Sequence, residues 1–189
     1  MLEKSPQGES SLRYRLYSPD HGLVTLMKRA SAKKTSMLPD VFDEISAVCR
    51  AGSRNVWFVS EFERLSSRIS LAADYERFSA AAEISKIVAA NSTYLENHNT
   101  LYAHTLSAID SLASGGLAHI VEFKFLYLFA RSEGYPVKES FLAGLNAEDL
   151  ERTVEILKGP SDSVSSEPEA QRLLRVLKHW ISAFTDLTV

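Results

Sequence analysis

The chain has 189 residues, 45% of them hydrophobic and 24% charged, with a formal net charge of −3. This is the composition of one or two small folded domains with their own cores, and it excludes disordered and fibrous classes. No apolar run reaches the roughly 18 residues of a membrane span; the nearest, Leu117 to Ala130, contains Glu122 and Lys124.

Charge is divided unevenly. Residues 1–68 hold 11 Lys/Arg against 8 Asp/Glu, whereas residues 69–189 hold 10 against 16. Residues 13–34 carry six bases and one acid, Asp20, which suggests a front that faces a polyanion and a back that faces a partner. The single cysteine, Cys49, has no second thiol for a disulfide or a cysteine zinc site. Together with the lack of a charged-then-apolar leader, this gives cytoplasmic as the expected location.

In chain order, the first part has the pattern of strands. Leu2 to Ser5 is a fragment, and Leu12, Tyr14 and Leu16 then alternate with Arg13, Arg15 and Tyr17, the period of a half-buried strand. Pro19-Asp20-His21-Gly22 is a turn, and Leu23 to Met27 returns antiparallel. Val41 to Val48 and Val56 to Phe62 are two further strands around the turn Ala51 to Asn55. Five short strands is the number in an OB barrel.

From Ile69 the period becomes helical. Leu71, Tyr75, Phe78 and Ala82 mark one stripe; Ile84, Ile87, Val88, Asn91 and Leu95 mark another. Asn97 to Thr100 caps a second helix that ends at Gly115-Gly116. Leu117 to Arg131 is apolar nearly all round and is expected at the centre of a bundle, stopped by Gly134-Tyr135-Pro136. Asn146 caps a helix through Lys158, Gly159-Pro160 ends it, and Glu169 to Phe184 is a last amphipathic helix. The expected architecture is α+β: an OB-fold-like barrel over residues 1–68 and a helical bundle over residues 69–189.

Signatures of catalysis are poor. There is no phosphate-cradling glycine loop, Walker lysine or nucleophile elbow. His21, His98, His104, His119 and His179 are dispersed, so no metal and no cofactor is expected. Cys49 stands beside Arg50, which would lower its pKa, yet a small half-buried residue is the simpler reading. Glu61 and Glu63 share a strand face and are read as its solvated side, with Val56, Phe58 and Phe62 on the other.

The basic set is the stronger candidate. Arg13 and Arg15 share a face, and Lys28, Arg29, Lys33 and Lys34 follow at the end of the next strand and in its loop. Pairing through the Pro19 turn would make a positive ridge for phosphates, with Tyr17 on the arginine face as the stacking ring. Tyr14 is expected in the core, and Trp57 is left open between core, partner contact and base platform.

At this point the chain resembles the RecO family of bacterial recombination mediators. Gly8-Glu9-Ser10-Ser11, Leu16-Tyr17-Ser18 with His21-Gly22-Leu23, and the basic tract Met27 to Lys34 follow the order of elements in that family's OB-fold. Ser53 to Glu63 is similar to its final barrel strand, Glu122 to Leu128 to a helix of its helical domain, and Gly134-Tyr135-Pro136 to the stop after it. Two departures are an Arg29 in place of a loop glycine and a first strand reduced to a stub, from a shortened start or an open barrel. The family's four zinc cysteines are also absent, as in its zinc-free branch.

The resemblance implies a non-enzymatic, nucleoid-associated DNA repair and recombination protein. It would bind single- and double-stranded DNA, promote annealing and load the recombinase, with a RecR-like partner and single-strand-binding protein. An acidic tail of the latter would dock on Phe123, Tyr127 and Phe129, with Lys124 or Arg131 as the cation. The rival reading is a protein-interaction module of the same architecture that has lost DNA binding.

Overall fold

A computed structural model of the protein describes residues 1–8, 11–29, 38–52, 56–93, 98–163 and 167–189. The fold is α+β: a five-stranded mixed sheet followed by helices. The strands are β1 (Glu3–Pro6), β2 (Ser11–Ser18), β3 (Gly22–Arg29), β4 (Glu44–Ala51) and β5 (Val56–Ser66), in the order β1-β2-β3-β5-β4. Neighbours run antiparallel except β3 and β5, which are parallel. The sheet is open between β1 and β4 among the described residues. Phe42 N donates to Met1 O at 2.8 Å across that gap.

Alternation in β2 and β3 works as the sequence requires. Tyr14, Leu16, Val24 and Leu26 are buried on the inner face, with Ile45, Ala47, Cys49, Trp57, Val59 and Phe62 packed against them. The hairpin turns over Pro19 to His21 and pairs Ser18 with Gly22. Gly22 has φ +61, and a Cβ there would stand 2.6 Å from the His98 ring, so glycine serves both the turn and the docking of a helix.

Two strand expectations need correction. β4 begins at Glu44, not Val41, because Phe42 takes φ 67, a left-handed turn that ends any extended run. In β5 the expected face of Val56, Phe58 and Phe62 is broken. Cys49 pairs with Val59 but Val48 pairs with Glu61, so Ser60 is an extra residue and the strand is bulged. The bulge flips the pattern: Trp57 and Val59 face inward before it, Phe62 after it. Phe58 is therefore 48% exposed on the outer face.

The helices are α1 (Tyr75–Asn91), α2 (His98–Ala113), α3 (Ala118–Ser132), α4 (Ala147–Lys158) and α5 (Glu167–Phe184). Asp74 caps α1 by accepting from Arg77 N at 3.0 Å, which makes Ile69–Ala73 a separate 3-10 turn. The expected stripe from Leu71 to Ala82 is thus divided: Leu71 is core, while Tyr75 is exposed. Asn146 caps α4, accepting from Asp149 N at 2.9 Å. α3 lies at the centre, packed against α1, α2, α4 and α5, and every residue from Ile120 to Phe123 is buried. No helix among the described residues is long and apolar enough to cross a membrane.

A charged seam joins sheet to helices. Arg68, 4% exposed, donates from Nε to Asp110 Oδ1 at 2.7 Å, from Nη1 to Phe42 O at 3.1 Å and from Nη2 to Glu44 Oε2 at 3.4 Å. Tyr102 of α2 donates to the other Glu44 oxygen at 3.0 Å. Tyr17 and Phe42 belong to the same apolar cluster as the helices, so the two halves share a core at this boundary.

Candidate nucleic-acid interface

The outer face of the sheet is built by alternation from residues whose neighbours are buried inside. Its central row runs across all five strands in register: Ser5, Arg13, Met27, Phe58 and Arg50. A second row continues with Glu3, Arg15, Thr25 and Val56, and Arg29 stands opposite Ser11 at the end of β3. An exposed aromatic ring thus lies in one line with Arg13 on one side and Arg50 on the other. Beyond the bulge, the same face of β4 and β5 becomes acidic, with Glu61 and Glu63 exposed.

The arginines are not free of partners. Arg13 Nη2 and Arg15 Nη1 donate to the two oxygens of Glu3, at 3.2 and 3.4 Å. Glu3 therefore spaces the two guanidinium groups and cancels part of their charge. These pairs are exposed to water, so exchanging the carboxylate for a phosphate costs little. Arg29 and Arg50 are exposed.

The expected ridge keeps only part of its membership. Arg13, Arg15 and Arg29 share the outer face. Lys28 does not: its parity places it on the inner side, where Nζ donates to Ser60 O at 3.2 Å and sits 5.0 Å from the Phe62 ring centre. Lys33 and Lys34 lie outside the described residues.

Tyr17 is not an open stacking ring. It has the parity of the arginines, but α2 covers that end of the sheet and leaves Tyr17 8% exposed. Its hydroxyl bonds His98 Nδ1 at 3.1 Å, and burial pushes the phenol up to about 12. Trp57 faces inward with its ring 5.3 Å from His21, so it is no outer-face platform. Phe58 and Arg50 were missed by the sequence reading. Phe58 turns outward because of the bulge, which no hydrophobic pattern shows, whereas Arg50 follows from plain alternation with Ala47 and Cys49 on β4.

The tail-binding pocket expected on α3 is also not formed by its aromatics. Phe123 and Phe129 are fully buried and Tyr127 nearly so, because α1, α2, α4 and α5 cover most of α3 and leave only a strip with Leu128 and Arg131 exposed. Lys124 is already used: Nζ donates to Gly159 O at 2.6 Å and Ser161 Oγ at 3.3 Å, closing the end of α4. Burial pushes its ammonium below the usual lysine value. Arg131 alone of that set is exposed.

Other chemistry is sparse. Burial pushes the Cys49 thiol up, opposite to the lowering expected from Arg50, because the two side chains stand on opposite faces of β4. Among the described residues, no three His, Cys, Asp or Glu side chains gather as metal ligands. Compared with protein-family models and with curated proteins, the chain matches none, so the interface rests on its own geometry.

Proposed function

We propose that the chain is a non-enzymatic DNA-binding protein that works as a RecO-like recombination mediator, with the outer face of its sheet as the DNA surface. The observation that carries this reading is the row Arg13–Met27–Phe58–Arg50, an exposed ring between guanidinium groups. Guanidinium forks hold phosphates, and an aromatic face stacks a base whatever its identity. A duplex keeps its bases stacked on each other, so Phe58 favours single strands while the arginines serve both forms. The strand order and the single parallel pair support an OB-type sheet, a class that binds oligonucleotides on the β2–β3 face. Such a protein would act by holding strands for annealing and for recombinase loading, and no bond need be broken. RecR-like and single-strand-binding-protein partners remain part of the reading, on surfaces other than the α3 aromatics.

A second reading has its own observation. Glu3 offsets the arginines, and Val48, Leu65, Ile69 and Tyr75 are exposed apolar residues suited to a protein partner. Titration of labelled oligo-dT and of a duplex across a salt series separates the two. With four outer arginines, log affinity should fall against log salt with a slope of about −3. Absence of binding at low salt overturns the mediator reading and leaves the interaction module.

A further inference from the structure

Beneath the DNA face the sheet is not filled. A half-open cavity of about 360 Å³ lies between its inner side and α2, walled by Leu16, Val24, Leu26, Ile45 and Trp57 from the sheet and Leu106 from α2. Small barrels and curled sheets ordinarily fill this space with side chains. Here β4 contributes Ala47 and Cys49 to the wall, two small residues where larger ones would close the gap. An apolar wall left to water is unfavourable, and an occupant that covers it gains burial and contacts.

The lining states what would fit. The charged groups at one end are satisfied within the protein: Glu44 by Tyr102 and Arg68, and Asp43 by Arg64 Nε at 2.9 Å and by the Arg68 backbone N–H at 3.3 Å. The Met1 amino group, also in the lining, donates to Asp43 O at 2.7 Å, and burial pushes it down to about 5, so it carries no charge near neutral pH. The His21 ring in the wall lies 5.3 Å from Trp57, and the rest of the lining is mainly apolar, so an uncharged occupant fits. Aromatic rings of Tyr17, Trp57 and Tyr102 frame the space. One polar group in the wall is unanswered: Ser85 of α1 is 5% exposed, and its hydroxyl has no hydrogen-bond partner among the described residues. The volume falls within the range of small-molecule sites and is far too small for a helix or strand.

We infer that this cavity is a binding site for one uncharged aromatic molecule with a single hydrogen-bonding group, of the phenol or indole class. The sheet stands between most of the cavity and the Arg13–Phe58–Arg50 row; of the walls named, only Tyr17, at the hairpin end, has the parity of that row.

The test uses N-phenyl-1-naphthylamine, an uncharged two-ring amine that fluoresces in apolar surroundings. Saturable binding of one molecule per chain is expected, with methyl NMR shifts at Val24, Leu106 and Ile109 and none at Val48. Ala47→Trp, which places a ring in the cavity, should abolish binding. Ser85→Ala keeps the space and should weaken binding about fivefold, the loss of one neutral hydrogen bond. The inference is overturned if binding is not saturable, if the shifts centre on Val48, or if folded Ala47→Trp binds the probe unchanged. Should Ala47→Trp fail to fold, the methyl map of the unmodified protein decides the matter.

Discussion

The two halves of the molecule treat their interiors differently. In the helical half, α3 is surrounded and its aromatic side chains are wholly buried, Phe125 and Phe129 stacked with ring centres 5.9 Å apart. In the sheet half, one face is given to solvent and arginines, and the other covers an unfilled cavity. A densely packed core has low compressibility, so removing a ring from it leaves a cavity that its neighbours only partly close. The difference is one of packing: the helices surround a buried α3, while the sheet packs its inner side and leaves much of its outer side to water.

The largest expected effect tests the packing contrast. Phe129→Ala should cost about 3–5 kcal/mol of unfolding free energy, while Leu26→Ala, already beside empty space, should cost roughly 2 kcal/mol. Equal losses in urea denaturation would break the contrast. Next comes the seam. Arg68→Met leaves Glu44 and Asp110 without their cation and should cost roughly 3 kcal/mol, the low end for a broken buried pair because Asp110 is half exposed. Trp57 reports on the sheet and Trp180 on the helices, so the same variant should separate their unfolding midpoints if the seam couples them.

On the face proposed to hold DNA, the expected effects are on affinity, not stability. Phe58→Ala should weaken single-strand binding by about 1–3 kcal/mol, leave the duplex nearly unchanged and alter stability by less than about 0.5 kcal/mol. Arg13→Ala should reduce the salt slope by about one unit, and Glu3→Gln should tighten binding. Loss of duplex and single-strand binding together in Phe58→Ala would sharpen the arginines' share at the expense of stacking.

The smallest effect concerns His104, half-buried on α2, where desolvation pushes its pKa below the usual 6.5. The unfolded chain takes up a proton near pH 6.5 while the folded chain resists it to lower pH. Stability is therefore full above that range and falls as the solution is acidified through it. His104→Gln should flatten the stability curve between about pH 7 and 5; an unchanged slope would place the pH dependence elsewhere.

Much of this arrangement was legible in the residues. The period of two around Tyr14, the Pro19 turn, the Asn146 cap and the all-round apolarity of Leu117 to Arg131 are local signals, and each acts through neighbours a few positions away. Hence β2, β3 and the core position of α3 follow from sequence alone. The candidate site was legible only as far as Arg13, Arg15 and Arg29, whose strand alternation is undisturbed.

The rest depended on long-range packing. The Ser60 bulge arises from pairing with β4 and turned Phe58 outward, which strand alternation alone would have placed with Phe62. Tyr17 has the parity of a surface residue but was buried by a helix that begins 81 residues later. Lys124 and the α3 aromatics had the composition of a partner site until α4 and the surrounding helices occupied them. Sequence by itself determined roughly where the main strands and helices lie and which face most of their residues prefer, because those preferences are set by short-range periodicity. Only the tertiary structure decided which of those faces remain open to a ligand, because exposure is fixed by what a distant part of the chain packs against.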